Sequence, residues 1–183
     1  MKNTKTDEQL VREIVAGNRE LYYELVKRYE QKLKRYVGRI INRPIEVDDI
    51  VQNVFIKAYK NLPTFQTNLS FSSWIYRIAH NETVNTMSSG FIQKIVSLNL
   101  IFGIGTIDNT EERIVDEEMK RQLKSCVNSL EIKYREPIVL FYYEEKSYEE
   151  ISDILRIPVR AVGVLIHRGK LLIKKKCNEK KRH

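Results

Sequence analysis

The sequence has few of the residues that build disulfide frameworks and metal sites. Its two cysteines, Cys126 and Cys177, lie far apart and do not form a Cys-x-x-Cys pair. They predict neither a disulfide framework nor a zinc site, and they favour a reducing compartment, the cytoplasm. The three histidines, His80, His167 and His183, are scattered along the chain. We therefore expect no bound metal and no other cofactor.

Long hydrophobic runs are also missing. The amino-terminal segment MKNTKTDEQL contains no apolar run, so the sequence predicts no signal peptide. The most apolar stretch, residues 91–107, is interrupted by Gln93, Lys94, Asn99 and two glycines. It is too broken to predict a membrane span.

The sequence shows none of the usual signs of an enzyme. It has no glycine-rich phosphate loop and no evident set of nucleophile, base and oxyanion-binding groups. We therefore expect a protein without catalytic activity and without a small-molecule substrate.

Positive charge is in excess. The formal net charge is +8 and the isoelectric point is about 9.4, although 31% of the residues are charged and both signs are mixed. Such an excess favours an anionic partner, either nucleic acid or a membrane surface. A soluble basic protein without such a partner remains an alternative on charge alone.

Apolar residues recur at helical spacing nearly throughout, which predicts an all-α fold. We expect two small helical domains joined by a flexible linker, with a helix-turn-helix in the second. The predicted boundaries are 1–88 for the first domain, 89–111 for the linker, 112–176 for the second domain and 177–183 for a basic, frayed tail. Within them, helices are predicted at about 7–16 with a stop at Gly17-Asn18, 20–40, 47–61, from a cap at Ser72 or Ser73 until the helix fades at 88–90, 112–129, 133–144, 147–155 and 159–176.

The segment SYEEISDILRIPVRAVGVLIHRGKLLIKKK, residues 147–176, predicts the helix-turn-helix. Ser147 with Glu150 predicts a capping box, and Pro158 suits the start of the second helix. On that second helix one face is apolar and is expected to pack inward: Val159, Val162, Leu165, Ile166, Gly169, Leu172 and Ile173. The opposite face carries Arg160, Val164, His167, Arg168, Leu171, Lys174 and Lys175.

The outward face of this helix is suited to DNA. Arg160 and His167 are expected to reach base edges, and Val164 to touch a thymine methyl group. Phosphates would be held by Lys170, Lys174 and Lys175. A basic, solvated helix face without a DNA partner is the alternative.

Residues 46–62, EVDDIVQNVFIKAYKNL, predict a helix with a binding surface. Its inward face is apolar, with Val47, Ile50, Val51, Val54 and Ala58. Its outward face mixes Ile56 with short polar residues, namely Asp48, Asp49, Gln52 and Asn53. An apolar centre with a polar rim suits contact with another helix, although an ordinary solvated face fits the stretch equally well.

Residues 65–85, FQTNLSFSSWIYRIAHNETVN, combine aromatic with polar and cationic residues. Such a mixture can stack unpaired bases and bind single strands. The aromatic set is Phe65, Phe71, Trp74 and Tyr76, and the polar set is Arg77, His80, Asn81 and Asn85. The alternative is that the aromatic residues belong to the core, as the four-residue spacing of Trp74 and Ile78 indicates.

These three segments, in this order, resemble the extracytoplasmic-function (ECF) sigma factors of bacterial RNA polymerase, members of the sigma-70 family. DDIVQNVFIKAYKNL is similar to the polymerase-binding helix, SFSSWIYRIAHN to the segment that melts the promoter at its −10 element, and SYEEISDILRIPVRAVGVLIHRG to the helix-turn-helix for the −35 element. The resemblance implies a promoter-specificity subunit. Its implied partners are the polymerase core (the β′ clamp coiled coil and the β flap), promoter DNA and an anti-sigma factor.

The resemblance also implies roles for particular residues. The residues implied to bind polymerase are Asp48, Asp49, Gln52, Asn53, Phe55 and Ile56. Asn53 stands where the family usually has Glu. The residues implied to contact the −10 element are Asn68, Ser70, Phe71, Arg77, His80, Asn81 and Asn85. The loop Thr67–Ser70 matches the family's loop that captures a flipped base. The residues implied to contact the −35 element are Arg160, Val164, His167, Arg168, Lys170 and Lys174.

Two departures from the family pattern remove DNA contacts. The −10 helix ends in Asn85-Thr86-Met87-Ser88-Ser89 without the usual basic pair, and Gly163-Val164-Leu165 replaces the usual Lys-Ser-Arg. They leave two alternatives open. One is a sigma-like co-regulator or antagonist that binds polymerase but reads promoters poorly. The other is an ordinary helix-turn-helix regulator, which would need a dimer to read two half-sites.

Overall fold

A computed structural model of the chain describes residues 5–41, 43–66, 69–96 and 121–180. Those residues form eight α-helices and contain no strand, which confirms the all-α prediction. The helices are α1 (Asp7–Val15), α2 (Tyr22–Ile40), α3 (Val47–Asn61), α4 (Phe71–Val96), α5 (121–128), α6 (Ile132–Tyr142), α7 (Tyr148–Leu155) and α8 (Val159–Lys180). We call α1–α4 domain one and α5–α8 domain two.

Domain one is built on the apolar stripe of α2. Leu25, Leu33 and Val37 are fully buried on that stripe. They pack with the inward face of α3, which was predicted correctly from its spacing, and with α4. Burial of each such side chain contributes roughly 1.5–3 kcal/mol. Four buried side chains of α4 complete this core: Phe71, Ile75, Tyr76 and Ala79.

The ends of α1 follow rules of local sequence. Thr6 accepts a hydrogen bond from the backbone N–H of Gln9, whose side chain accepts one from the backbone N–H of Thr6. This capping box was not predicted from the sequence. Gly17 ends the helix region with φ +120, a backbone conformation that favours glycine. The predicted stop at Gly17-Asn18 is thus confirmed.

The start and end of α4 differ from prediction. The helix is capped by Ser70, whose Oγ accepts from the N–H of Ser73 at 3.3 Å, and not by Ser72 or Ser73. Its other end lies at Val96, past the predicted domain boundary at residue 88. Helix formation continues because the segment after Ser88 contains no proline and only one glycine. The rest of the predicted linker and residues 112–120 of the predicted fifth helix lie outside the described residues.

Domain two contains the predicted helix-turn-helix. Ser147 and Glu150 form the predicted capping box at the start of α7. The turn that follows α7 places Arg156 in the left-handed region, φ 54. Helix α8 continues to Lys180, so the basic tail predicted to fray from residue 177 is helical to that point. Residues 181–183 lie outside the described residues.

The two cysteines form a disulfide, contrary to prediction. Cys126 of α5 and Cys177 of α8 are bonded, with their Cα atoms 5.9 Å apart. The sequence separation of 51 residues concealed this pairing. Only the tertiary fold brings the two sulfur atoms together.

Close approach of α8 to α6 depends on Gly169. A Cβ atom at this position would lie 2.5 Å from Ile138 Cδ1 and 3.3 Å from the backbone oxygen of Tyr134. At Gly163, on the same helix, a Cβ atom would meet only the ring of Tyr148, at an ordinary 3.4 Å. The two glycines therefore differ in packing.

This difference predicts unequal effects of the same substitution. Both Gly169→Ala and Gly163→Ala gain up to about 1 kcal/mol of helix propensity. Only Gly169→Ala forces Ile138 to move, at a cost of about 1–3 kcal/mol. Urea unfolding should therefore show Gly169→Ala as the less stable variant by about that amount. Equal stability of the two would contradict the close approach.

Candidate functional site

An open apolar groove lies between α2 and α3. We call it the α2–α3 groove, and its volume is about 530 Å³. Ile56, which is 44% exposed, and Phe55, which is 9% exposed, contribute to it from α3. The full lining is Tyr22, Val26, Glu30, Lys34, Asp48, Val51, Gln52, Phe55, Ile56, Tyr59 and Lys60.

The groove brings together most of the residues predicted to bind polymerase. Asp48, Gln52, Phe55 and Ile56 line it, while Asp49 and Asn53 are exposed on the same helix outside its lining. The contribution of α2 was missed. Tyr22, Val26, Glu30 and Lys34 line its other wall. These four residues are spaced four apart in the sequence, next to the buried stripe of α2. That spacing could have indicated that they form one surface of the helix.

Polar contacts fix the shape of the groove. The Tyr22 hydroxyl donates to the backbone oxygen of Phe55 at 2.7 Å and ties α2 to α3. Lys34 Nζ lies 2.9 Å from Asp48 Oδ1 and 2.9 Å from Glu30 Oε1. The hydrogen bond to Asp48, followed by the one to Glu30, raises the pKa of Lys34. Lys34 thus stays protonated and neutralises part of the acidic rim.

The aromatic residues before and within α4 mostly pack in the core. Phe71 is fully buried, Tyr76 is 1% exposed and Phe65 is 8% exposed. Phe71 lies edge-on to Tyr29 at 5.5 Å between ring centroids and 5.6 Å from Trp74. The base contact predicted for Phe71 is therefore replaced by a packing role in this arrangement. The alternative weighed for the aromatic set, a place in the core, is the better description.

The remaining residues predicted for the −10 element fall into two groups. Ser70, Asn81 and Asn85 are exposed. Arg77 and His80 are partly buried because domain two covers them. Thr67 and Asn68 lie outside the described residues.

Carboxylates of domain two hold these side chains. Arg77 Nη2 lies 2.5 Å from Asp153 Oδ1 on α7. His80 Nδ1 lies 2.7 Å from Glu136 Oε1 on α6. Two of the residues predicted to contact DNA are thus paired with anionic groups of their own chain, as they would be with phosphates.

Glu136 and Glu144 are the centre of the contact between the domains. Glu136 is 4% exposed and accepts a hydrogen bond from the Tyr36 hydroxyl. The Glu144 side chain is 3% exposed and accepts from the Tyr76 hydroxyl at 2.6 Å. Burial, followed by the charge of Glu136, raises the pKa of Tyr36, so the phenol remains a neutral donor. We call these pairs, with His80–Glu136 and Arg77–Asp153, the interdomain contact.

The outward face of α8 is exposed as predicted. All residues predicted to contact the −35 element are exposed: Arg160, Val164, His167, Arg168, Lys170 and Lys174. The inward face is buried at Val162, Ile166 and Gly169. Val159 is 41% exposed, so its predicted core position was wrong. It lies in the first turn of α8, and the buried stripe begins only at Val162.

Two further features concern the described parts of the chain. They contain no group of three or more histidine, cysteine or acidic side chains that could hold a metal ion. No helix within them combines the length and the apolar character needed to cross a membrane.

Comparison with known proteins matches both domains to one family. Residues 25–89 match sigma-70 region 2, and residues 120–173 match sigma-70 region 4. The chain is 32% identical to the ECF RNA polymerase sigma-E factor of Escherichia coli K12, over 96% of both chains. It is 29% identical to the ECF sigma factor SigW of Bacillus subtilis, over 92% of this chain and 95% of SigW. The sigma factor RpoE of Bartonella quintana, solved with the anti-sigma factor NepR, has the same fold, with a TM-score of 0.72, 17% identity, and coverage of 86% of this chain and 96% of RpoE.

Proposed function

Because the chain belongs to the ECF group of sigma-70 factors, which direct bacterial RNA polymerase to promoters, we propose how its surfaces divide that work. Domain one binds the polymerase core and opens the −10 element. Domain two binds the −35 element. The polymerase, in the cytoplasm, supplies the chemistry, and the chain itself contributes binding without catalysis.

The α2–α3 groove is the observation that carries this proposal. Its apolar floor includes the exposed Ile56, and its rim carries Asp48, Gln52 and Lys34. An apolar centre within a polar rim is the composition of a protein interface. The groove runs between two helices, so it suits a helical partner, which in this family is the clamp coiled coil of β′.

The exposed face of α8 is assigned to the −35 element. Arg160 lies in the first turn of α8, which in a helix-turn-helix enters the major groove and contacts bases. Lys174 lies near the other end, where the helix would leave the groove and meet phosphates. His167 lies between them on the same face.

The interdomain contact is assigned to a resting arrangement. Arg77 and His80 cannot bind −10 DNA while they are paired with Asp153 and Glu136. We infer that binding to polymerase separates the domains and frees these side chains. The isolated protein should then bind DNA weakly.

An anti-sigma factor is a further proposed partner. The solved RpoE of Bartonella quintana has the same fold and is bound by the anti-sigma factor NepR. The α2–α3 groove offers an apolar surface that such an inhibitor could cover to exclude polymerase.

Transcription with purified components tests the proposal. Promoters are first selected by genome-wide binding, and run-off transcription is then measured with core polymerase and the purified chain. Promoter-specific transcripts support the proposal. Binding to core without transcripts would favour the antagonist, and sequence-selective DNA binding without core would favour the ordinary regulator.

Two substitutions on α8 should have different effects on −35 recognition. Arg160→Ala should relax preference at one or two positions and cost about 1–3 kcal/mol on the preferred sequence. Lys174→Ala should weaken binding to all sequences alike and lower the salt dependence by about one unit of slope. Holoenzyme binding across a −35 library at several salt concentrations measures both effects. An identical, uniform loss of affinity in the two variants would mean that α8 contacts only the phosphate backbone of the DNA.

A further inference from the structure

We propose that Cys126 and Cys177 form a site of reversible thiol oxidation that closes domain two into a covalent ring. They are the only two cysteines of the chain, and the fold brings them into bonding contact. Their Cα separation of 5.9 Å falls within the range of about 4.4–6.8 Å that disulfides span. The bond can therefore form without movement of the backbone.

The two thiols differ in access. Cys126 is fully buried beside Val127 and Leu130. Cys177 is half-buried, and it follows Lys174, Lys175 and Lys176. Accessible thiols in electropositive surroundings react with oxidants, whereas buried thiols are shielded from oxidants in the solvent. Cys177 is therefore the residue that is oxidised first, and Cys126 is the one that resolves the product.

The oxidant belongs to the peroxide class. The Cys177 thiol reacts with hydrogen peroxide to give a sulfenic acid and one water molecule. The Cys126 sulfur then attacks the Cys177 sulfur, forms the disulfide and releases a second water. Two thiols are oxidised and one peroxide is reduced. A small thiol reverses the reaction by exchange and is itself oxidised to a disulfide.

The position of the bond defines what it controls. It joins α5, the first described helix of domain two, to the carboxyl-terminal part of α8. The ring contains the whole helix-turn-helix, including every residue assigned to the −35 element. Lys174 and Lys175 remain exposed in the bonded form, next to the crosslink. Oxidation thus fastens the phosphate-contacting end of α8 and leaves its DNA-facing side chains accessible.

In a cytoplasmic protein such a bond fits a regulatory role. Disulfides there are rare, and those that occur are usually transient or redox-sensing. The inference rests on the two cysteines and their geometry, so it holds whether or not the chain reads promoters as proposed.

The test uses the full chain, treated with hydrogen peroxide or with dithiothreitol and then alkylated with iodoacetamide. After peroxide, intact mass should fall by about 2 Da and neither cysteine should be alkylated. After dithiothreitol, both cysteines should be alkylated on unfolding. The oxidised chain should also melt at a temperature higher by roughly 10 °C or more, because a ring of this size constrains the unfolded state.

Serine variants make the assignment specific. Cys126→Ser should leave a sulfenic acid on Cys177 that dimedone traps, whereas Cys177→Ser should leave Cys126 reduced. In the double variant, Cys126→Ser with Cys177→Ser, the peroxide-dependent rise in melting temperature should vanish. Both thiols still open to alkylation after peroxide, or a disulfide found only between two chains, would overturn the proposal. An equal melting temperature of the oxidised and reduced chains would do the same.

Discussion

We expect Glu136→Ala to separate the two domains and to free the α4 residues proposed to contact the −10 element. The substitution removes the acceptor of the Tyr36 hydroxyl and the partner of His80 at once. Removal of the acceptor leaves the buried Tyr36 hydroxyl without a hydrogen bond, at a cost of about 1–3 kcal/mol. This cost applies only while the two domains remain in contact. When the domains separate, Tyr36 and His80 are exposed to water and the cost is avoided.

Two measurements test this result. Small-angle scattering should show a larger radius of gyration, and a single-stranded −10 oligonucleotide should bind more tightly because Arg77 and His80 become available. Glu131→Ala is the matched control, since Glu131 is exposed and pairs only with the neighbouring Lys133 among the contacts seen. An unchanged size and an unchanged affinity, with helix content intact, would show that the contact does not hold the domains together.

Ile56→Arg should remove most of the affinity for core polymerase. The side chain is exposed at the α2–α3 groove, where a partner helix would bury it. A guanidinium group there would lose the apolar contact and would have to be desolvated. We expect a loss of about 2–4 kcal/mol, the magnitude of a central interface residue, or roughly a thirtyfold to thousandfold weaker complex.

Val15→Arg is the control for this substitution. Val15 is an aliphatic residue of α1, 50% exposed, and it does not line the groove. Binding of labelled protein to purified core should therefore change little. If both variants bind core as the wild type does, the polymerase surface lies elsewhere on the chain.

Local patterns in the sequence predicted most of the fold. Spacings of three and four residues placed the helices and their inward faces because each such face must be buried. Capping at Ser147 and the stop at Gly17 depend on a few neighbouring residues, and both were predicted correctly. The same reasoning assigned the exposed faces of α3 and α8.

Features that join distant parts of the chain escaped prediction. The Cys126–Cys177 bond, the α2 wall of the groove and the carboxylates that hold Arg77 and His80 all depend on tertiary packing. No local pattern distinguishes Glu136, a buried partner, from an exposed glutamate such as Glu131. Phe71 was difficult for a different reason. An aromatic residue in a polar stretch is compatible with both base stacking and core packing, and the sequence does not decide between them.

The amino-terminal helix contacts the start of α4 directly. Glu8 of α1 accepts a hydrogen bond from the backbone N–H of Phe71, the first residue of α4, at 3.1 Å. An unpaired N–H at a helix start carries part of the positive end of the helix dipole, which the Glu8 carboxylate neutralises. The place where α4 begins is therefore set jointly by Ser70 and by Glu8 of α1. We therefore expect a displacement of α1 to shift the start of α4. Such a shift should alter recognition of the −10 element even though α1 itself does not contact DNA.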